Sequence, residues 1–165
     1  MSYVIVNADR SHVKGVHAIE TECFSEPWTE EAIISQLNGD NHVFLVALDG
    51  ECVVGYVGMM YVLDEGYISN VAVTAAYRRQ KIADALIDEL LKRAATLELS
   101  FVTLEVRESN EPAKILYAKH GFKEVGLRNR GSAGTGYAIY QGIIAPLGMG
   151  RTHGNLCSEY GLQFA

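Results

Sequence analysis

Between Arg79 and Leu97 the apolar side chains Ile82, Leu86 and Leu90, and beside them Ile87, Leu91 and Ala94, return every three or four positions. Asp84, Asp88, Lys92 and Arg93 occupy the opposite side, so the segment is an amphipathic helix whose apolar face must be covered. What flanks it decides by what. Gly66 to Val73 before it and Phe101 to Val106 after it read as strands. In the second, alternation puts Val102, Leu104 and Val106 on one face and Phe101, Thr103, Glu105 and Arg107 on the other.

The rest of the chain continues this alternation of periods. Tyr3 to Val6 is a short strand, and Val13, Val16, Ile19 and Cys23 mark a helix within Ser11 to Cys23. Pro27 breaks the chain, and Thr29, with acidic residues directly after it, caps a second helix that ends at Asn38-Gly39. Val43 to Leu48 and Val53 to Tyr61 flank Asp49-Gly50, a dipeptide suited to a tight hairpin whose two central residues both have positive φ. After Val106, Asn110 caps a helix with Pro112 in its first turn, a stripe of Ala113, Leu116, Tyr117 and His120, and Gly121 at its end. Strands near Lys123–Leu127 and Tyr137–Ile144 close the order β, α, α, three strands, α, β, α, β, β. That order predicts a mixed α/β domain with a partly antiparallel sheet.

At 165 residues the chain is expected to form one domain, since a chain near 150 residues buries roughly 68–70% of its unfolded surface without metal or disulfide staples. Fourteen Lys and Arg against twenty Asp and Glu leave a formal charge of -6, which disfavours direct nucleic-acid binding or an anionic membrane and suits a basic partner. The amino terminus reaches Asp9 before a signal-peptide pattern can assemble, and the longest uncharged run, Gly131 to Gly150, holds six glycines and Pro146. A soluble, cytoplasmic protein is expected, with Cys23, Cys52 and Cys157 as buried, inert free thiols. The five histidines form no ligand-spaced cluster, so no metal is expected. Beyond Pro146 periodicity stops, and residues 148–165 are expected to be a flexible tail.

Three places carry candidate chemistry. Arg78, Arg79 and Lys81 sit where a strand feeds the strong helix, and helix N-termini attract phosphate; a solvated basic turn is the plain alternative. Glu105 interrupts an apolar strand, either as an ion-pair partner of Arg107 and its neighbours or as a tuned acid–base group. Tyr117, twelve residues on, is either a core aromatic or a proton donor. Trp28 with Pro27 reads equally as a packing anchor and as a wall of a groove.

Arg78-Arg79-Gln80-Lys81-Ile82-Ala83 resembles the pyrophosphate-binding loop of the Gcn5-related N-acetyltransferases, with Lys81 at the position of the pattern's first glycine. Phe24-Ser-Glu-Pro-Trp28, Leu104-Glu-Val-Arg107, Ser109-Asn110, and Leu116-Tyr117 with Gly121-Phe122 are similar to the ribosomal-protein-alanine N-acetyltransferase branch. The resemblance covers about residues 3–147, so that residues 1–147 form the N-acetyltransferase domain. It implies a seven-stranded mixed sheet, splayed in the middle where acetyl-CoA enters, with about four helices.

By the same resemblance Glu105 is the general base and Tyr117 the general acid. Val71, Ala72 and Val73 pair with the pantetheine arm, residues Arg78 to Asp84 line the pyrophosphate site, and Asn110 contacts the cofactor. Pro27 and Trp28 line the acceptor groove. The implied reaction moves acetyl from acetyl-CoA to an amine, foremost the α-amine of an alanine-led ribosomal protein. An α-amine, with a pKa of ~7.7–8.0 against ~10.4 for lysine, is the easier nucleophile to deprotonate. Arg130-Gly131 and Gly136-Tyr137-Ala138 depart from the branch, which has an aromatic and an acidic pair in these regions. A small amine (polyamine, aminoglycoside or amino acid) is therefore the alternative acceptor. A non-catalytic acyl-CoA-binding module is the alternative of another class.

Overall fold

The computed structural model describes residues 2–129 and 136–144. The proposed tail, Cys157, His153 and the Arg130-Gly131 departure lie outside them. The elements run in the expected order: β1 (Val4–Asn7), α1 (Val13–Cys23), α2 (Glu30–Asn38), β2 (His42–Asp49), β3 (Cys52–Val62), β4 (Glu65–Val73), α3 (Ile82–Thr96), β5 (Phe101–Arg107), α4 (Glu111–Lys119), β6 (Lys123–Asn129) and β7 (Gly136–Ile143). One turn of 3-10 helix precedes α1 and another precedes α3.

The seven strands form one sheet in the order β1-β2-β3-β4-β5-β7-β6. β1 with β2, β2 with β3, β5 with β7 and β6 with β7 are antiparallel, and β4 with β5 is parallel. The parallel ladder runs from Glu65↔Phe101 to Ile68↔Leu104, while both strands continue beyond its last pair.

The described residues fall into two compact units, one within residues 1–61 and 69–90 and the other within residues 62–68 and 91–144. In the first, Val13, Val16 and Ile19 of α1, Ile33 of α2, Phe44 and Val46 of β2, Tyr56 of β3 and Ala72 of β4 form the core. Phe44 and Tyr56 stack with ring centroids 5.5 Å apart. Each such buried large side chain contributes roughly 1.5–3 kcal/mol through removal from water. In the second unit Val102, Leu104 and Val106 of β5 are buried with Tyr117, Phe122, Ala138 and Tyr140, while Glu105 stays on the half-buried face that alternation predicts.

Local rules explain most boundaries. Thr29 Oγ1 accepts from Ala32 N–H (3.1 Å) and starts α2; Asn110 Oδ1 accepts from Ala113 N–H (3.2 Å) and starts α4. Gly121 leaves α4 at a φ of 85°, a conformation open to glycine. Two expectations need correction. The hairpin turn is Gly50-Glu51, since Asp49 pairs with Cys52, and among the two central residues only Gly50 has positive φ, at 60°. That pattern belongs to a II′ turn, which asks for glycine at its first central position alone. The strong helix starts at Ile82 rather than Arg79, because Arg79 and Lys81 have φ of 61° and 62° and cannot continue a right-handed helix.

Candidate active site

In the first unit, the segment after β4 is held from several sides. Glu22 of α1 accepts from Thr74 Oγ1 (2.7 Å) and Ala75 N–H (2.6 Å). The Thr74 hydroxyl, then the Ala75 amide, keep its carboxyl below the usual carboxylate range. Tyr77 donates its hydroxyl to Asp49 (2.8 Å), and Tyr3 donates to the Lys81 carbonyl (3.3 Å). Arg78 Nε donates to the Val73 carbonyl (3.2 Å), and its Nη2 reaches Cys23 Sγ at 3.4 Å.

This fastening presents Arg79-Gln80-Lys81 as a loop with two left-handed residues, Arg79 and Lys81, directly before the start of α3. The α3 ladder begins with Ala85 N–H to Lys81 C=O (3.0 Å), so the N–H groups of the first turn point away from the helix body with the positive end of its dipole. Arg79 and Lys81 are exposed, and Lys81 holds the glycine-type backbone while adding a charge. Beside the loop, Gly55 of β3 lets the chain close in: a β-carbon there would lie 3.2 Å from the Ala72 carbonyl, from Val73 and from Ile82. The residue types fit a pyrophosphate: the unpaired N–H groups of the first turn of α3 stand next to the exposed cations Arg79 and Lys81, and Arg78 is tied to the Val73 carbonyl at the end of β4.

The second unit carries the titratable pair. Glu105, on the half-buried face of β5, meets Arg128 of β6 at 3.0 Å, the carboxylate 12% and the guanidinium 52% exposed. The ion pair seen for Glu105 is thus with Arg128, which reaches over from a strand beyond β7 and is 23 residues along the chain. Tyr117 is buried. Its ring lies edge-on to Phe122 (centroids 6.0 Å) and tilted against Tyr140 (6.4 Å). Burial raises the Tyr117 phenol above its ordinary value of 10.0, so it holds its proton across neutral pH. Asn110 spends its carbonyl oxygen on the α4 cap.

Pro27 and Trp28, in the first unit, are half-buried, and Trp28 packs against the apolar core. Cys23 is half-buried and Cys52 exposed, which corrects the expectation that both are buried: Cys52 opens β3 beside the hairpin turn. Four residues escaped the sequence reading. Arg128 and Tyr56 gave no signal. Glu20 did, since it stands four residues after Val16 on the apolar face of α1, and Asn70 is its partner on β4.

The descriptor of the Acetyltransferase (GNAT) family matches residues 13–122. A Bacillus subtilis protein provisionally named [ribosomal protein bS18]-alanine N-acetyltransferase is 33% identical over 115 residues, 68% of this chain and 76% of that protein. The Escherichia coli (strain K12) [ribosomal protein bS18]-alanine N-acetyltransferase is 27% identical over 124 residues, 75% of this chain and 83% of its own. The crystal structure of the Escherichia coli ribosomal-protein-S18-alanine N-acetyltransferase superposes with a TM-score of 0.80 at 24% identity, covering 92% of this chain and 99% of that one. No helix among the described residues is long and apolar enough to cross a membrane. With the family model matching residues 13–122 and, among the described residues, one seven-stranded mixed sheet with four α-helices, this chain belongs to the GNAT family and is an acetyl-CoA-dependent N-acetyltransferase.

Proposed function

We propose that the protein acetylates the N-terminal α-amine of a cytoplasmic protein that begins with alanine, a ribosomal protein foremost. The observation that carries this reading is the likeness over 68% and 75% of the chain to relatives named for that acceptor. The formal charge of -6 supports a basic acceptor.

Bound acetyl-CoA supplies a thioester whose acetyl carbon is open to an amine. In this reading the backbone of Arg78 to Asp84 and the cations of the loop hold the pyrophosphate, Val71, Ala72 and Val73 bind the pantetheine arm by strand-like hydrogen bonds, and Asn110 contacts the cofactor. Glu105 takes the proton that the amine releases on attack, directly or through one water, with Arg128 as counter-charge to the carboxylate. Tyr117, protonated because it is buried, offers its hydroxyl proton to the departing sulfur. Pro27 and Trp28 line the acceptor groove. Holding both reactants replaces a bimolecular encounter by an oriented one, which removes much of the entropic barrier.

Peptides led by Ala, Ser, Met and acetyl-Ala, each followed by the same basic sequence, are incubated with acetyl-CoA and the protein, and the modified atom is mapped by fragmentation mass spectrometry. A single acetyl group on the α-amine of the alanine-led peptide, and none on acetyl-Ala, is the expected result. Acetylation confined to lysine side chains, or to polyamines and aminoglycosides in a parallel thiol-release assay, overturns the α-amine assignment.

A further inference from the structure

Glu20 is the one carboxylate fully buried among the described residues, with 1% of its surface exposed. It stands on α1 in line with Val16, where an apolar side chain would complete the stripe, and burying a charge there is expensive unless donors converge on it. Three do. Oε2 accepts from the backbone N–H of Trp28 (2.9 Å); Oε1 accepts from Asn70 Nδ2 (2.8 Å) and from the phenol of Tyr56. One turn earlier on α1, His17 Nδ1 lies 2.8 Å from the Trp28 carbonyl. A carbonyl only accepts, so this nitrogen carries the proton. Two side chains three residues apart on one helix thus hold both backbone polar groups of Trp28, and one of them also holds the residue that precedes Val71–Val73 of β4.

Packing alone does not ask for this arrangement, because Trp28 already contacts the apolar core through its ring. What the polar groups add is direction: they set where the Pro27–Trp28 backbone stands relative to β4. We infer that Glu20 and His17 are positioning residues for the acceptor groove, holding the Trp28 segment in register with the cofactor-binding end of β4 through Asn70. The inference rests on the reading in which Pro27 and Trp28 line that groove.

The test uses the full chain, an alanine-led peptide and acetyl-CoA. In Glu20→Gln the amide keeps an oxygen for Asn70 and Tyr56 but turns an N–H toward the Trp28 N–H, so the contact to Trp28 is lost. The peptide KM is expected to rise by about tenfold while the acetyl-CoA KM stays within about twofold. Trp28 is the sole tryptophan, so acrylamide quenching of the intrinsic fluorescence reports its segment directly and should increase. His17→Phe, which keeps ring volume and removes the donor, is expected to raise the peptide KM in the same way. His17→Asn, whose amide nitrogen replaces Nδ1, is expected to raise it less. This second pair decides the matter if Glu20→Gln does not fold. Equal rises in both KM values, or unchanged peptide KM despite increased quenching, would assign Glu20 and His17 to the fold alone and overturn the inference. Trp28→Ala separates the two levels: an unchanged peptide KM removes the groove reading itself, whereas a raised one with a parent-like Glu20→Gln removes only the positioning role. A parent protein that turns over no peptide ends both.

Discussion

Lys81 stands where the loop pattern has glycine, and its φ of 62° is the conformation that glycine takes at no steric cost. A β-carbon there costs roughly 1–2 kcal/mol. Lys81→Gly is therefore expected to be more stable than Lys81→Ala by about 1 kcal/mol in thermal unfolding, while both lose the charge and weaken acetyl-CoA binding alike in calorimetry. If the Ala variant is the more stable, the left-handed residue carries no strain. Glu105→Gln is expected to lower kcat by about 100- to 10,000-fold. Because Arg128 is half exposed, stability should change by less than about 1 kcal/mol, and calorimetric acetyl-CoA affinity should hold. Tyr117 gives a pH signature. Its folded value lies above the unfolded 10.0, so its contribution to stability is complete below pH 10 and is lost as pH rises through the folded value. Across the working range the phenol stays protonated. Tyr117→Phe should thus lower kcat by the same factor at about pH 7 and about pH 9; a deficit that vanishes at the higher pH would remove the acid role.

At the scale of elements, Asn110 has two assignments that one comparison separates. It caps α4 through Ala113 N–H, so Asn110→Ala is expected to cost about 1 kcal/mol in urea unfolding. Asn110→Ser, itself a good cap, should restore that stability; if acetyl-CoA affinity stays low in the Ser variant, the amide contacts the cofactor, and if it returns, Asn110 is a cap alone. The caps, the Pro112 placement and the Gly121 stop were all legible because they depend on residues within one turn of one another. The start of α3 was not. Arg79, Gln80 and Lys81 are good helix formers, and periodicity extends the helix over them, yet the left-handed backbone of Arg79 and Lys81 ends it, in a segment whose other contacts, Tyr3 on the Lys81 carbonyl and Glu22 on Thr74 and Ala75, come from far along the chain.

For the molecule as a whole, a charge of -6 attracts a basic acceptor peptide over a distance that salt shortens from about 10 Å at 0.1 M to about 3 Å at 1 M. The kcat/KM for a Lys/Arg-rich alanine-led peptide is expected to fall severalfold as NaCl rises from about 0.05 to about 0.5 M, with little change for a neutral peptide of equal length. Equal losses for the two peptides would remove electrostatic steering. The order of strands and helices, most of their approximate ends and the face on which Glu105 lies were determined by the sequence itself, because periodicity, capping and turn chemistry act over a few residues. The tertiary structure alone decided that Glu105 pairs with Arg128, that Glu20 gathers Trp28, Tyr56 and Asn70, and that Lys81 takes a glycine's backbone. Those contacts join residues 8 to 78 positions apart, and no local preference specifies them; they exist because packing a mixed sheet brings distant polar groups into places where water no longer satisfies them.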